Sequence, residues 1–370
     1  MLDQPLEILQ PGCVRVGAGQ ARRVGQTLPE RQLSRPLIVA DVFNANRLDA
    51  LGLPGDTPCV TVRPEPDLAD LAAAVEAARA AQPDVVIGFG GGSAMDVAKL
   101  VSVMLAHNVA FDDISGPNRA PARHVTLMQI PTTAGTGSEA GTRALVTEPD
   151  TLRKIATESP HMLADMVVLD PELTVSLPAQ VTAATGVDAL AHCVEAFTSR
   201  RAHPVIDHYA REGIRLIGQF LPRAIQDGTD LEARAALLLA SFYGGVCLGP
   251  VNTTAGHAVA YPLGTRHHLP HGLANALMFP HVLAANAEHC PQKTAEITEA
   301  LGLAKDLPLA EAAHDFCAGL GLTMGLRDHS IPEDDLAQMA EEAHAIRRLL
   351  DYNPRDLSRD DILALYRAAY

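Results

Sequence analysis

Four side chains that could ligate a metal occur as two pairs in the second half of the chain. Asp188 and His192 stand four residues apart in TGVDALAHCVEAF, and His257 and His271 stand fourteen apart in GHAVAYPLGTRHHLPHG. Four residues make about one helical turn, so the carboxylate and the first imidazole share a helix face. One carboxylate with three imidazoles suits Fe²⁺ or Zn²⁺ better than Ca²⁺ or Mg²⁺. The set predicts a catalytic divalent-metal site, at which a Lewis acid could act on an alcohol or carbonyl oxygen.

Alone, a D-x-x-x-H pair is weak evidence, because the chain has 15 histidines. A glycine-rich segment upstream, GFGGGSAMDVAK, strengthens it. Without Cβ atoms, Gly90, Gly91 and Gly92 let the backbone approach an anion, and the following helix offers unpaired N–H groups. This segment predicts a site for a dinucleotide pyrophosphate. The alternative is a glycine-rich turn with Ser93 as a helix cap, and the spacing departs from the G-x-G-x-x-G fingerprint.

Two further features fit a dinucleotide. PTTAGTGSE follows the apolar run VTLMQI, so it would present hydroxyls and amides at the carboxyl edge of a sheet. Asp41 ends the run PLIVAD, where a carboxylate can accept hydrogen bonds from a ribose and repel a 2′-phosphate. The alternatives are a surface loop and an ordinary strand-end aspartate. Together the features favour NAD over NADP.

Composition limits the class of protein. A chain of 370 residues exceeds the size of most single cores, so we expect two domains. A formal net charge of −15 disfavours nucleic acid and anionic membrane as partners. The six cysteines are scattered without a C-x-x-C pair, which predicts reduced thiols. We expect no signal peptide and no membrane span, and hence a cytoplasmic protein.

The pattern of apolar residues changes near position 178. Before it, β-branched runs alternate with helical stretches, which indicates βαβ units around a parallel sheet. Strands are predicted at 35–41 and 84–90 and helices at 69–81 and 93–105. After it, segments such as LEARAALLLASFYGG and EDDLAQMAEEAHAIRRLL have helical periodicity. We predict an α/β domain over 1–177 and an all-helical domain over 178–370, with ligands in the cleft between them.

Five segments together resemble the iron-containing (group III) alcohol dehydrogenase family: GGGSAMDVAK, PTTAGTGSE, ATGVDALAHCVEAF, GHAVAYPLG and LPHGLANALMFPHV. The resemblance implies an N-terminal Rossmann-like domain that binds NAD and a C-terminal helical domain that binds metal and substrate, the architecture shared with dehydroquinate synthases. It implies metal-dependent hydride transfer between NAD(H) and a small alcohol or aldehyde. It also implies Fe²⁺, with Zn²⁺ as an alternative, and a homodimer.

By position, the family's metal ligands fall on Asp188, His192, His257 and His271. Its cofactor-binding positions fall on Asp41, Gly91, Gly92, Ser93, Asp96, Thr132, Thr133 and Lys154.

The chain departs from the family pattern at two places. Many members carry a further histidine one helical turn after the third ligand, where this chain has Tyr261. We therefore expect protons to move through Tyr261, His267 or a ribose hydroxyl and water. Gly141 and Arg143 replace more usual small or apolar residues. Arg143 could contact cofactor or substrate, or be a solvated arginine.

The substrate is least determined. Arg266, His267 and His268 lie between the last two ligands, and a cationic rim there would favour an aldehyde with a carboxylate or phosphonate. A solvent-facing basic loop explains the same residues. Three other functions compete: a metal-independent reductase like maleylacetate reductase, a metal-dependent hydrolase, and a non-catalytic nucleotide-binding protein. Four available ligands argue against the first and third, and an NADH titration distinguishes the hydrolase.

Overall fold

The computed structural model describes residues 5–105, 109–149 and 154–370. Contacts along the chain divide it into two units. The first comprises Ile8–Ser176, and the second comprises residues 5–7 together with Leu177–Tyr370.

The first unit contains all the strands of the described chain. They are β1 (Val14–Val16), β2 (Pro36–Ala40), β3 (Cys59–Thr61), β4 (Val85–Gly90), β5 (Gly116–Pro117), β6 (Thr126–Pro131), β7 (Arg143–Thr147), β8 (Lys154–Glu158) and β9 (Met166–Leu169). Six of them form a parallel sheet in the order β1-β9-β6-β4-β2-β3. Strands β4 and β9 are buried along their whole length, as expected where helices cover both faces of a parallel sheet. The predicted α/β fold is confirmed.

Five helices accompany these strands: α1 (Val24–Glu30), α2 (Val42–Ala45), α3 (Leu68–Ala81), α4 (Gly92–Met104) and α5 (Phe111–Ile114). α3 begins at a capping box in which Asp67 accepts from the Asp70 N–H and Asp70 accepts from the Asp67 N–H. α4 begins at Gly92, the last of the three glycines. Its apolar residues are almost all buried, so it fixes the glycine-rich loop against the sheet.

A second, three-stranded sheet is not anticipated by the sequence patterns above. Its order is β5-β8-β7, with β7 and β8 antiparallel and β5 parallel to β8. These strands are short and only partly buried, so they lack the continuous apolar runs that mark β4 and β9.

The second unit is helical, as predicted, with no strand among its described residues. Its helices are α6 (Ala179–Thr198), α7 (Pro204–Gln226), α8 (Leu231–Leu248), α9 (Ala255–His267), α10 (His271–Asn286), α11 (Pro291–Leu301), α12 (Leu309–Gly319), α13 (Leu336–His344), α14 (Arg347–Leu350) and α15 (Arg359–Ala369). α6 is buried over most of its length. α7, α8 and α10 pack against it.

One helix of the described chain, α8, has the length and apolar composition needed to cross a membrane. Of its 18 residues, 61 % are buried inside the fold. The core helix of a globular protein has the same properties.

Candidate metal centre and cofactor loops

Three helices of the second unit bring the four predicted ligands together. α6 carries Asp188 and His192, α9 carries His257, and α10 begins at His271. The approach of α10 to α6 requires Gly272, because a Cβ there would lie 2.7 Å from the Ala184 carbonyl oxygen of α6. The helices therefore position the ligands through backbone contact.

The ligand atoms all lie within 4.8 Å of one another. Asp188 Oδ1 is 3.9 Å from His192 Nε2 and 3.6 Å from Nε2 of both His257 and His271. These separations are too long for hydrogen bonds. Four ligands placed tetrahedrally at about 2.1 Å from a metal would be about 3.4 Å apart. The donor types and their spacing fit a divalent metal, so these four residues would hold it.

Glu195, which sequence reasoning missed, orients one ligand. Its Oε1 accepts a 2.6 Å hydrogen bond from His257 Nδ1, and its Oε2 accepts one of 2.5 Å from the Thr254 N–H. A Cβ at Gly256 would lie 2.5 Å from Glu195 Oε1, so glycine permits this contact. A histidine that donates through Nδ1 leaves the Nε2 lone pair for a metal. The H-x-x-E spacing from His192 to Glu195 is the signal that could have revealed it.

Asn275 is the second residue that was missed. Its Nδ2 donates a 2.7 Å hydrogen bond to Asp188 Oδ1 and lies 3.3 Å and 3.2 Å from Nε2 of His257 and His271. An electropositive group therefore lies against three of the four ligand atoms. Asn275 follows His271 by one helical turn, a spacing that could have indicated it.

The electrostatics of the cluster favour one protonated and one neutral imidazole. Burial opposes charge on His257, but the carboxylates of Glu195 and Asp188 outweigh it and raise its pKa to about 10. Burial and the neighbouring imidazoles lower the pKa of His192 to about 4, although Asp188 opposes them. Burial also disfavours ionised Asp188, yet the three imidazoles hold its pKa below the usual range. Two buried carboxylates thus give the site a strong preference for a cation.

Access to the cluster is one-sided. The side chains of Asp188, His192 and His257 are 2 %, 6 % and 3 % exposed, whereas His271 is 36 % exposed. The Tyr261 ring stacks against His271 with centroids 6.0 Å apart. Tyr261 therefore lies on the open side of the site.

The other predicted residues of this region lie elsewhere. His267 follows His257 by ten residues, about 15 Å along α9, and its Nε2 is 3.3 Å from Asp335. Arg266 forms a 2.9 Å ion pair with Glu342. His268 is exposed beyond the end of α9. The structure thus corrects two expectations: His267 is not beside the ligands, and carboxylates balance the charge of the supposed cationic rim.

In the first unit, most predicted cofactor residues gather at one edge of the sheet. Asp41, Gly91 and Thr132 follow β2, β4 and β6, which are neighbours in the parallel sheet. The Asn44 amide donates to Asp41 Oδ2 at 2.6 Å and to Thr132 Oγ1 at 3.2 Å, which links two of the three loops.

The glycines of this edge hold the loops close together. A Cβ at Gly91 would lie 3.4 Å from Thr133 Oγ1, and one at Gly92 would lie 3.0 Å from Thr136. Gly90 has φ 156°, a backbone conformation that side chains disfavour. The edge therefore presents bare amides and hydroxyls.

Ser93 and Lys154 share a partner that was not anticipated. Ser93 Oγ accepts a 3.2 Å hydrogen bond from the Glu65 N–H, and Glu65 forms an ion pair with Lys154. The Glu65 side chain is 61 % exposed, so this pair can separate at little cost.

Asp96 forms hydrogen bonds with other residues of the first unit. One carboxylate oxygen accepts from the Ser138 hydroxyl at 2.5 Å, and the other accepts from the Leu145 N–H at 2.9 Å. The fully buried Lys99 also donates to Ser138 Oγ, at 2.8 Å. Together they fasten the loop after β6 to α4. Asp96 thus supports the cofactor loops from behind.

Arg143, which had two possible roles, lies in β7 and donates to Glu158 Oε2 of β8 at 2.8 Å. This contact joins two strands of the small sheet.

Family models match both units. The family model described as "Iron-containing alcohol dehydrogenase" matches residues 11–171, and the model described as "Fe-containing alcohol dehydrogenase family, C-terminal" matches residues 182–370. The chain belongs to this family. It is 38 % identical over 320 residues to long-chain-alcohol dehydrogenase 1 of Geobacillus thermodenitrificans, an alignment covering 84 % of this chain and 80 % of the relative. It is 34 % identical to the sulfoacetaldehyde reductase of Bilophila wadsworthia, covering 83 % and 82 %.

A solved structure with a similar fold supports the same family assignment. A sulfoacetaldehyde reductase from Bifidobacterium kashiwanohense, in complex with NAD⁺, superimposes with a TM-score of 0.90 at 28 % identity and covers 99 % of both chains. Membership of the iron-containing alcohol dehydrogenase family confirms the predicted class, an oxidoreductase of alcohols and aldehydes.

Proposed function

We propose that the chain catalyses reversible hydride transfer between NAD(H) and a small alcohol or aldehyde, with a divalent metal held by Asp188, His192, His257 and His271. The convergence of these four ligand atoms within 4.8 Å carries the proposal. A metal-independent reductase would have no need for this set.

The first unit is proposed to bind the dinucleotide at the edge formed by the loops after β2, β4 and β6. Gly91 and Gly92 leave room for the pyrophosphate beside the N-terminus of α4. The Asp41 carboxylate disfavours a 2′-phosphate, which supports NAD rather than NADP. Lys154 would exchange its exposed partner Glu65 for the cofactor.

The second unit is proposed to supply the metal and the proton path. When bound, Fe²⁺ or Zn²⁺ supplies Lewis-acid stabilisation of the negative charge that develops on the substrate oxygen during hydride transfer. Glu195 and Asn275 fix the ligands from the buried side. Tyr261, beside the exposed His271, would carry a proton on Oη between the substrate oxygen and solvent.

Assembly and location belong to the same proposal. We infer a homodimer in the cytoplasm. The six cysteines, all free in the structure, support a reducing compartment. Light scattering of the purified protein measures the assembly, and a mass of one chain would contradict the dimer.

The test uses His271→Ala with His314→Ala as the matched control. His314 is an exposed histidine outside the cluster. We expect the purified protein to contain a divalent metal by elemental analysis and to oxidise NADH with short aldehydes. His271→Ala should lose turnover and metal but retain NADH binding in a fluorescence titration, because His271 is a metal ligand that contacts Asp188, Asn275 and Tyr261 of the second unit. The control should keep all three properties. Wild-type protein that contains metal but does not bind NADH would refute the proposal and favour a hydrolase.

A further inference from the structure

A substrate can reach the ligand cluster only on the side where His271 is exposed, since the other three side chains are almost completely buried. Tyr261 borders this side. Residues that contact Tyr261 from solvent are therefore the nearest candidates to meet the part of a substrate that points away from the reacting carbon.

Arg348 is such a residue. Its guanidinium carbon lies 5.8 Å from the centre of the Tyr261 ring, within the range of a cation–π contact. Arg348 is exposed, in the short helix α14. Within the described part of the chain, no carboxylate lies within ion-pair distance of it.

The neighbouring cations differ from Arg348 in this respect. Arg347 forms an ion pair with Asp351, one helical turn away. Arg266 pairs with Glu342 at 2.9 Å and lies 3.9 Å from Asp335. The carboxylates of Glu342, Asp335 and Asp351 are thus committed to Arg266 and Arg347. Arg348 keeps an uncompensated positive charge in a chain whose net charge is −15.

We propose that Arg348 binds the anionic end of the substrate, so that the preferred substrates are short aldehydes or alcohols bearing a carboxylate, sulfonate or phosphonate. This inference rests on the proposed function. A guanidinium offers two parallel N–H donors, which match the paired oxygens of these groups. Contact with Tyr261 places the guanidinium beside a ring that stacks against the ligand His271. This assigns to α14 the anion recognition that the sequence had suggested for Arg266, His267 and His268.

The test compares 4-oxobutanoate with 4-oxobutanamide, which have nearly the same shape but differ in charge. The quantity measured is the ratio of their kcat/KM values with NADH. Arg348→Gln should lower this ratio about tenfold or more, mainly through a higher KM for the anion, because a hydrogen bond to a charged group is lost. Arg348→Lys should recover part of the ratio. Arg347→Gln, which removes a paired charge one residue away, should leave the ratio within twofold of wild type.

Butanoate and butanamide, which cannot react, provide a second measurement as inhibitors. Butanoate should inhibit wild type more strongly than butanamide, and Arg348→Gln should abolish the difference. An unchanged ratio in Arg348→Gln, or an equal fall in Arg347→Gln, would overturn the assignment. If wild-type protein reduces neither aldehyde with NADH, the proposed function itself fails. If it reduces both equally and Arg348→Gln has no effect on their ratio, the proposed function stands, but the anionic preference and its assignment to Arg348 both fail.

Discussion

Replacement of Glu195 by glutamine should weaken metal binding without removing any ligand. Glu195 accepts hydrogen bonds from His257 Nδ1 and from the Thr254 N–H. A glutamine can keep the backbone contact through its carbonyl oxygen, but its NH₂ group would then face Nδ1. His257 must accept there and carry its proton on Nε2, the atom that a metal needs.

The size of the effect follows from the role of such partners. Loss of a group that orients a ligand histidine weakens metal affinity about 10- to 100-fold, or about 1.4–2.7 kcal/mol. A metal at 100 times its dissociation constant stabilises the wild type by about 2.7 kcal/mol. At the same concentration, Glu195→Gln should gain only about 0.4–1.4 kcal/mol.

Chemical unfolding with and without added Zn²⁺ or Co²⁺ measures this gain directly. Runs with chelator give the stability of the metal-free variant, so a general loss of packing is separated from a loss of metal binding. Glu288→Gln, at an exposed position, is the matched control and should gain as much as wild type. A metal dissociation constant for Glu195→Gln within threefold of the wild-type value would refute the orienting role.

Three further outcomes are expected. Gly91→Ala should fold normally, because its φ is −80° and the new Cβ would lie 3.4 Å from Thr133 Oγ1. The affinity of this variant for NADH should nevertheless fall about tenfold or more, as measured by fluorescence titration. An unchanged affinity would mean that Gly91 serves only to begin the helix. Asp41→Ser keeps the cap of α2 and removes a negative charge. The ratio of kcat/KM for NADPH to kcat/KM for NADH should therefore rise about tenfold. An unchanged ratio would mean that Asp41 does not contact the ribose. Burial, helped by His314, lowers the pKa of His281 to about 4 from 6.5. As the pH falls, His281 is therefore protonated in the unfolded chain before it is protonated in the folded chain, and the free energy of unfolding decreases below about pH 6.5. Between pH 7 and pH 5 the wild type should lose about 2 kcal/mol more than His281→Gln, and equal losses in urea unfolding would contradict the burial argument.

The fold could be predicted where one element carries its own signal. β4 is a run of apolar residues between turn residues, and α8 is an 18-residue segment rich in Ala and Leu. The small sheet could not be predicted, because β5 has two residues and β7 and β8 are only partly buried. Its stability depends on contacts such as that of Arg143 with Glu158, which have no local pattern.

The candidate site divides in the same way. The four ligands could be predicted because their residue types are restrictive and one pair has helical spacing. The partners of Arg266 could not, because Glu342 lies 76 residues further along the chain. Glu195 and Asn275 lie between these cases. Each is one helical turn from a ligand, but only the packing of α6, α9 and α10 shows which atoms they contact.

The two sides of the ligand cluster should respond differently to substitution. Glu195 and Asn275 lie on the buried side and form hydrogen bonds with ligands and backbone, so changes there should lower metal affinity and affect every substrate alike. Tyr261 and Arg348 lie on the exposed side and contact no more than one ligand. Changes there should alter the ratio between substrates while the metal dissociation constant stays the same. Within this helical unit, substrate preference can therefore change independently of the metal site, since α14 contributes none of its four ligands.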